Sequence, residues 1–327
     1  MELRTSYAQD LRLVSGAAGW TALIVLLGVL AALPLFAPRY VIYVATLVGV
    51  HGIVAVGLNL LMGYAGQVSL GHAGFVAIGA YAHGLFLTRL GWGFGPALVA
   101  AAGLSGLAGS LLGLPALRLA GPYLAVATLG FGLAVHQVLV NWEALSGGRS
   151  GLFFPEVSVL GGSLRDERVL YWVVLTVAVF LVLGAYRLVR SYIGRTFVAI
   201  RDSEISASTV GIHLTAYKTL AFGLSALYAG AAGALLGHLM GFLEPQLFTL
   251  FESIYFLAMV VVGGLGSVSG SLLGAVLLTL LPQALSGLGE ALNVVYGLIL
   301  LLVLRFDPGG LYARWLRIRR YWKAWPL

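Results

Sequence analysis

Ser69 and His72 stand three residues apart in "GQVSLGHAG" (66–74), a hydroxyl beside an imidazole, the pairing that nucleophilic hydrolysis uses. Such chemistry also needs a group to orient the base and donors to hold an oxyanion, and nothing nearby in the sequence supplies either. The same residues make better sense with their neighbours. Asn59, Gln67, Ser69, His72 and His83 form a polar cluster in apolar surroundings, where an unpaired polar group is costly and signals function by default. On a helix, Ser69, His72, Val76, Gly79 and His83 share one stripe, a candidate translocation path or subunit-facing surface. The competing reading is that the Ser and His side chains only bond to neighbouring helices as glue. For the isolated His51, His136 and His238, glue or interface is the stronger reading. Glu252 is a path candidate as well, but Thr249-Leu-Phe-Glu252 reads more readily as a capping box opening a helix. With no cysteine, neither a disulfide framework nor a thiolate metal site is possible, and no metal ligand set is expected. Lysine occurs only at 218 and 323, and neither closes a glycine-rich phosphate loop, so the chain cannot cradle nucleotide phosphates. No catalytic residues are expected.

The elements that position these residues are membrane spans. Of 327 residues, 60% are hydrophobic and 9% charged, with a mean hydropathy of +0.98; soluble domains carry about 25% charged residues. No carboxylate occurs from residue 11 to residue 142. A span needs about 20 apolar residues. Ten candidates lie near 17–36, 40–62, 66–88, 95–115, 119–140, 169–187, 216–242, 250–266, 269–287 and 291–305. Short breaks leave eight or nine open, and 66–88 is glycine-rich and polar enough to be broken or re-entrant. The expected class is an all-α integral membrane protein with about ten spans (8–10).

Basic residues set the direction. With the N-terminus inside, fourteen Lys and Arg fall on the inner side, among them Arg4, Arg12, Arg118, Arg187, Arg190, Arg195, Arg201, Lys218 and the tail. Five fall outside: Arg39, Arg89, Arg149, Arg165 and Arg168. This is the positive-inside distribution. It gives a cytoplasmic segment at 1–16, a transmembrane domain at 17–305 and a basic cytoplasmic tail at 306–327. Within the domain, 141–168 is an external loop and 188–215 is cytoplasmic. The start does not read as a cleaved signal, because Glu2 and Asp10 spoil a basic leader and the following apolar run is long enough to span.

Two further patterns stand out. "GYAGQVSLGHAGFV" (63–76) echoes "GGLGSVSGSLLGAV" (263–276) at six positions, including Gly63/Gly263 and Gly66/Gly266; transporters often contain such repeats. The stretch "IGRTFVAIRDSEISASTVGI" (193–212) is mixed in charge and patterned as a short amphipathic helix. Asp202 is the expected N-cap, Gly211 the expected left-handed stop, and Phe197 and Ile200 point one way in a preceding turn or two. So short a helix needs a partner surface; the alternative is a helix lying on the lipid interface. Small residues at Ala226, Gly230, Gly233, Gly237 and Gly241 read as close helix packing.

"GRTFVAIRDSEISASTVGIHLTAYKTLAF" (194–222) resembles the cytoplasmic coupling segment of branched-chain amino acid ABC transporter permeases of the LivM type. Blocks at 57–81, 117–132, 141–152 and 248–275 agree, in order, over roughly residues 20 to 305. The resemblance implies a type II ABC importer-like permease in a prokaryotic inner membrane, with both termini cytoplasmic. Its partners would be a second, related permease subunit, two ATP-binding subunits that carry the ATP and Mg, and an external solute-binding protein. This chain would bind no cofactor. Arg201, Asp202, Glu204, Ala207 and Gly211 would be the coupling residues in the ATPase groove. The expected solute is a branched-chain or similar neutral amino acid. Urea and short-chain amides are the alternative within the family, and an ion-coupled secondary transporter is the alternative of another class. One departure is that Leu133 and His136 stand where the family pattern usually has a Glu and a basic residue.

Overall fold

A computed structural model describes residues 17–116, 119, 121–159 and 161–284, with isolated positions at 294, 297, 298, 301, 305, 310–312 and 314. The last span candidate (291–305), the segment 1–16, the basic tail and Arg118 lie wholly or mostly outside these residues.

The described residues form helices α1 (Ala17–Phe36), α2 (Arg39–Asn59), α3 (His72–Thr88), α4 (Phe94–Ala116), α5 (Pro122–Asn141), α6 (Glu143–Ser146), α7 (Glu167–Arg190), α8 (Tyr192–Asp202), α9 (Glu204–Thr209), α10 (Leu214–Met240), α11 (Leu250–Gly263) and α12 (Val268–Ala284). Five are long and apolar enough to cross a bilayer: α2 with the turn that extends it, α4, α5, α7 and α10. Parts of α1, α11 and α12 form shorter apolar helices. Their ends follow local chemistry. In α7 the Asp166 carboxylate accepts from the Arg168 N–H at 3.0 Å, Glu167 sits in the first turn, and Arg187 and Arg190 sit in the last. Asp166 and Glu167 at the start and Arg187 and Arg190 at the end complement the helix dipole, whereas Arg168 in the first turn does not.

The core is built around α10. Ala221, Phe222, Ala226, Ala229, Ala232 and Leu235 are fully buried, with α2, α3 and α4 packed around them. Close approach is what the small residues provide. A Cβ on Gly79 of α3 would overlap the backbone of Gly230 of α10, so the two helices touch main chain to main chain.

The third span departs from the expected 66–88. After Asn59 the α2 helix widens into a π-turn (Leu60–Tyr64), with the Ala65 N–H bonding back to the Leu60 carbonyl at 3.2 Å. The chain then runs without regular structure until His72 starts α3. Ser69 is therefore not on the helix, and the stripe begins at His72. The break is tolerated because other helices satisfy its backbone: Leu70 N–H donates to Thr128 Oγ1 of α5, and Ala73 N–H to Ser253 Oγ of α11, both at 3.0 Å. Thr128 lies six residues into α5, so the break meets that helix about 9 Å along its axis from Pro122.

At the opposite end from α8 and α9, residues 141–168 fold onto the end of α10. Strand β1 (Leu152–Phe153) pairs antiparallel with β4 (Phe242–Leu243), and β2 (Ser158–Val159) pairs with β3 (Gly162–Ser163). The Phe154 N–H also donates to the Gly241 carbonyl at 3.0 Å.

Candidate functional site

The polar stretch at 193–212 is a pair of helices. Helix α8 is longer than a turn or two because Thr196, Phe197 and Ile200 bury one face against the bundle. It runs through Asp202, which corrects the expected cap. Ser203 is the N-cap of α9, and its hydroxyl accepts from Ser206 N–H at 3.2 Å. Asp202 is instead the partner of Arg201, whose Nε and Nη2 reach Asp202 Oδ1 at 3.0 and 2.9 Å. Gly211 does terminate α9 in the left-handed region (φ +85°). Ile212 N–H bonds the Ala207 carbonyl and Gly211 N–H the Ser208 carbonyl, which together form a Schellman motif.

The helix pair has an inner and an outer face. Ala207 is buried, so it packs inward. Lys218, only 4% exposed near the start of α10, reaches Glu204 Oε1 at 2.6 Å and ties α9 to the bundle. Arg201 also turns inward, with Nη1 donating to the Gly63 carbonyl at 2.8 Å. Outward stand Ile205 and Val210, 79% and 75% exposed. Helical spacing places Ile205 on one face with Thr209, but the sequence does not show that Val210 is exposed beside it. Nor does it show that Lys218 pairs with Glu204, although a lone lysine near the start of an apolar run asks for a partner.

The intramembrane candidates separate. Asn59 is fully buried: its Nδ2 donates to the Ser267 carbonyl (2.8 Å) and Ser271 Oγ (2.5 Å), and its Oδ1 accepts from Gly266 N–H (2.9 Å). It joins the turn that ends α2 to the turn between α11 and α12. Among the described residues, the Gln67 side chain bonds only the nearby Ala65 carbonyl. His72 and Ser69 are fully buried, and neither ring nitrogen of His72 nor the Ser69 hydroxyl has a partner among the described residues. His83 meets His238 of α10, Nε2 to Nε2 at 3.0 Å, between the rings of Phe94 and Phe154. The upper part of the stripe thus packs onto α10: Val76 against Gly233, Gly79 against Gly230, His83 against His238. His51 bonds Thr279 of α12 at 2.8 Å.

The capping box at Thr249 does not form. Thr249 is the N-cap residue of α11, and its carbonyl accepts the first intrahelical bond, from Ser253 N–H, but its side chain makes no capping bond. Thr249 also lines a cleft. That cleft, of about 230 Å³, lies between α3, α5 and α11 and is walled by Leu70, Ala73, Gly74, Leu133, His136 and Ser253, among others. His136 donates from Nδ1 to the Pro245 carbonyl at 3.0 Å, so its ring is held at the rim. Helix α5 is the least covered wall, with Tyr123, Val126, Leu133 and Val138 exposed.

A broken span, a cleft beside the break and a polar helix pair beneath it fit a transport subunit. The model of the branched-chain amino acid transport system / permease component family matches residues 40–304. The chain belongs to this permease family. As a member of it, the chain is a non-catalytic, multi-pass membrane subunit. This permease is 36% identical to the high-affinity branched-chain amino acid transport system permease protein LivM of Salmonella typhimurium, covering 88% of this chain and 74% of that one. It is 26% identical to LivH of Escherichia coli, over 82% and 93% of the two chains. It is 29% identical to the autoinducer 2 import system permease protein LsrC of Escherichia coli O157:H7, over 92% and 90%. No solved structure matches this permease.

Proposed function

We propose that this permease forms the translocation path of an ATP-binding-cassette importer for branched-chain or related neutral amino acids. Separate ATPase subunits drive it, and an external binding protein feeds it. The supporting observation is the two-faced helix pair: α8 and α9 are fastened inward by Phe197, Ile200, Ala207 and Lys218, yet present Ile205 and Val210 outward. Exposed apolar side chains on a short polar helix mark a docking surface. We assign this end to the cytoplasm, where Arg187, Arg190, Arg195, Arg201 and Lys218 gather.

The cleft suits such a solute. Leu70, Ala73, Leu133 and Phe248 line it, and an apolar wall accepts an aliphatic side chain without leaving polar groups unpaired. Its open side along α5 is where a second, related permease subunit completes the path; similarity to both LivM and LivH supports such a pair.

The test is co-purification with the ATPase subunits. Ile205→Asp with Val210→Asp is expected to leave membrane insertion intact while the ATPases are lost. Retention of the ATPases on that variant contradicts the docking face. An uptake panel of leucine, isoleucine, valine, urea and short-chain amides then assigns the solute, with transport confined to urea or amides counting against the amino acid reading.

A further inference from the structure

Arg201 does more than occupy the docking segment. It lies in the last turn of α8, and its side chain is spread over two turns of the membrane bundle. Nη1 donates to the Gly63 carbonyl at 2.8 Å. The aliphatic stem lies across Gly66, where an added Cβ would sit 2.8 Å from Arg201 Cγ. An added Cβ on Gly266 would sit 3.3 Å from Nη1. Both Gly66 and Gly266 have positive φ, +70° and +73°, so both turns are glycine turns for backbone as well as steric reasons. Asp202 grips the other edge of the guanidinium and fixes its plane.

These two turns are the two copies of the 200-residue echo. Asn59 fastens them together, accepting from Gly266 N–H while donating to Ser267 and Ser271. A Cβ on Gly63 would overlap both Asn59 Oδ1 and Gly266 N, so the turns meet without a gap. Beyond the first turn the chain leads through Leu70 to Ala73 and Gly74, which wall the cleft. Beyond the second, α12 begins at Val268.

We propose that Arg201 and Asn59 are the positioning residues of a transmission latch. Arg201 carries displacement of α8 to both glycine turns at once, and Asn59 makes the two turns move as one body, so that the cleft wall at 70–74 follows the ATPases. This rests on the reading of α8 and α9 as the ATPase-docking pair. The physical requirement for coupling is a contiguous element that both sites bias, and this is such an element.

The test uses the whole importer in proteoliposomes, with ATPase subunits and binding protein, and reads solute moved per ATP hydrolysed. In Arg201→Ala that ratio falls about tenfold, within the usual range for coupling between sites. Asn59→Ala lowers it similarly. Arg201→Lys recovers part of the loss, because an ammonium can reach the Gly63 carbonyl but cannot also hold Asp202 in a planar fork. A wild-type ratio in Arg201→Ala, or in Arg201→Lys if the alanine variant does not assemble, overturns the latch. Failure of both to assemble overturns it as well, since Arg201 would then hold the fold and relay nothing. The docking reading stands or falls separately, on whether Ile205→Asp with Val210→Asp sheds the ATPases.

Discussion

Lys218 is buried to 4% exposure, and Glu204, at 45%, is its ion-pair partner at 2.6 Å. A cation in that position without its carboxylate would be a buried, uncompensated charge. For a fully buried pair such a loss costs about 3–5 kcal/mol; half-exposure of Glu204 reduces this to about 1–2 kcal/mol. Glu204→Gln is therefore expected to lower the thermal midpoint in detergent, and adding Lys218→Met to restore most of it. A Lys218→Met background in which Glu204→Gln remains equally damaging would show that the two residues are not coupled. The pair also holds α9 to α10, with Ile205 and Val210 on the exposed side of α9.

Among the elements, α3 is the informative one. A helix that starts inside the bundle leaves its first N–H groups without intrahelical partners. Ser253 of α11 satisfies the one at Ala73, and Thr128 of α5 satisfies the preceding N–H at Leu70. Ser253→Ala is expected to cost about 1–2 kcal/mol by stranding a buried donor, read as a lower thermal midpoint; a change near zero would mean the break is held elsewhere. This also explains what sequence could and could not show. Apolar run length locates α2, α4, α5, α7 and α10, because a bilayer demands that length of any spanning helix. The glycine-rich stretch after Tyr64 announces a break. The groups that stabilise it lie 58 and 180 residues away, so no local pattern reveals them. At the helix pair, Asp202 and Ser203 are both good caps. The choice falls to Ser203 because burial of Phe197 and Ile200 and the Arg201–Asp202 pair carry α8 one residue further. At Thr249 the local signature locates the start of α11, although the side chain makes no capping bond.

At the scale of the molecule, one end of the bundle carries α8, α9 and the two glycine turns joined by Asn59 and Arg201. The other carries the strand pairs of 141–168 laid over the end of α10. The proposed importer requires that polarity, with the ATPases docking at the first end and solute entering at the other. Sidedness is therefore the decisive quantity, and the absence of cysteine makes it directly measurable. Ser206→Cys and Ser158→Cys, both at exposed positions, are labelled with a membrane-impermeant maleimide in intact cells and in inverted vesicles. Importer coupling predicts that Ser206→Cys reacts only in inverted vesicles and Ser158→Cys only in intact cells. Reaction of Ser206→Cys from the outside of intact cells would put α9 where no ATPase can reach it.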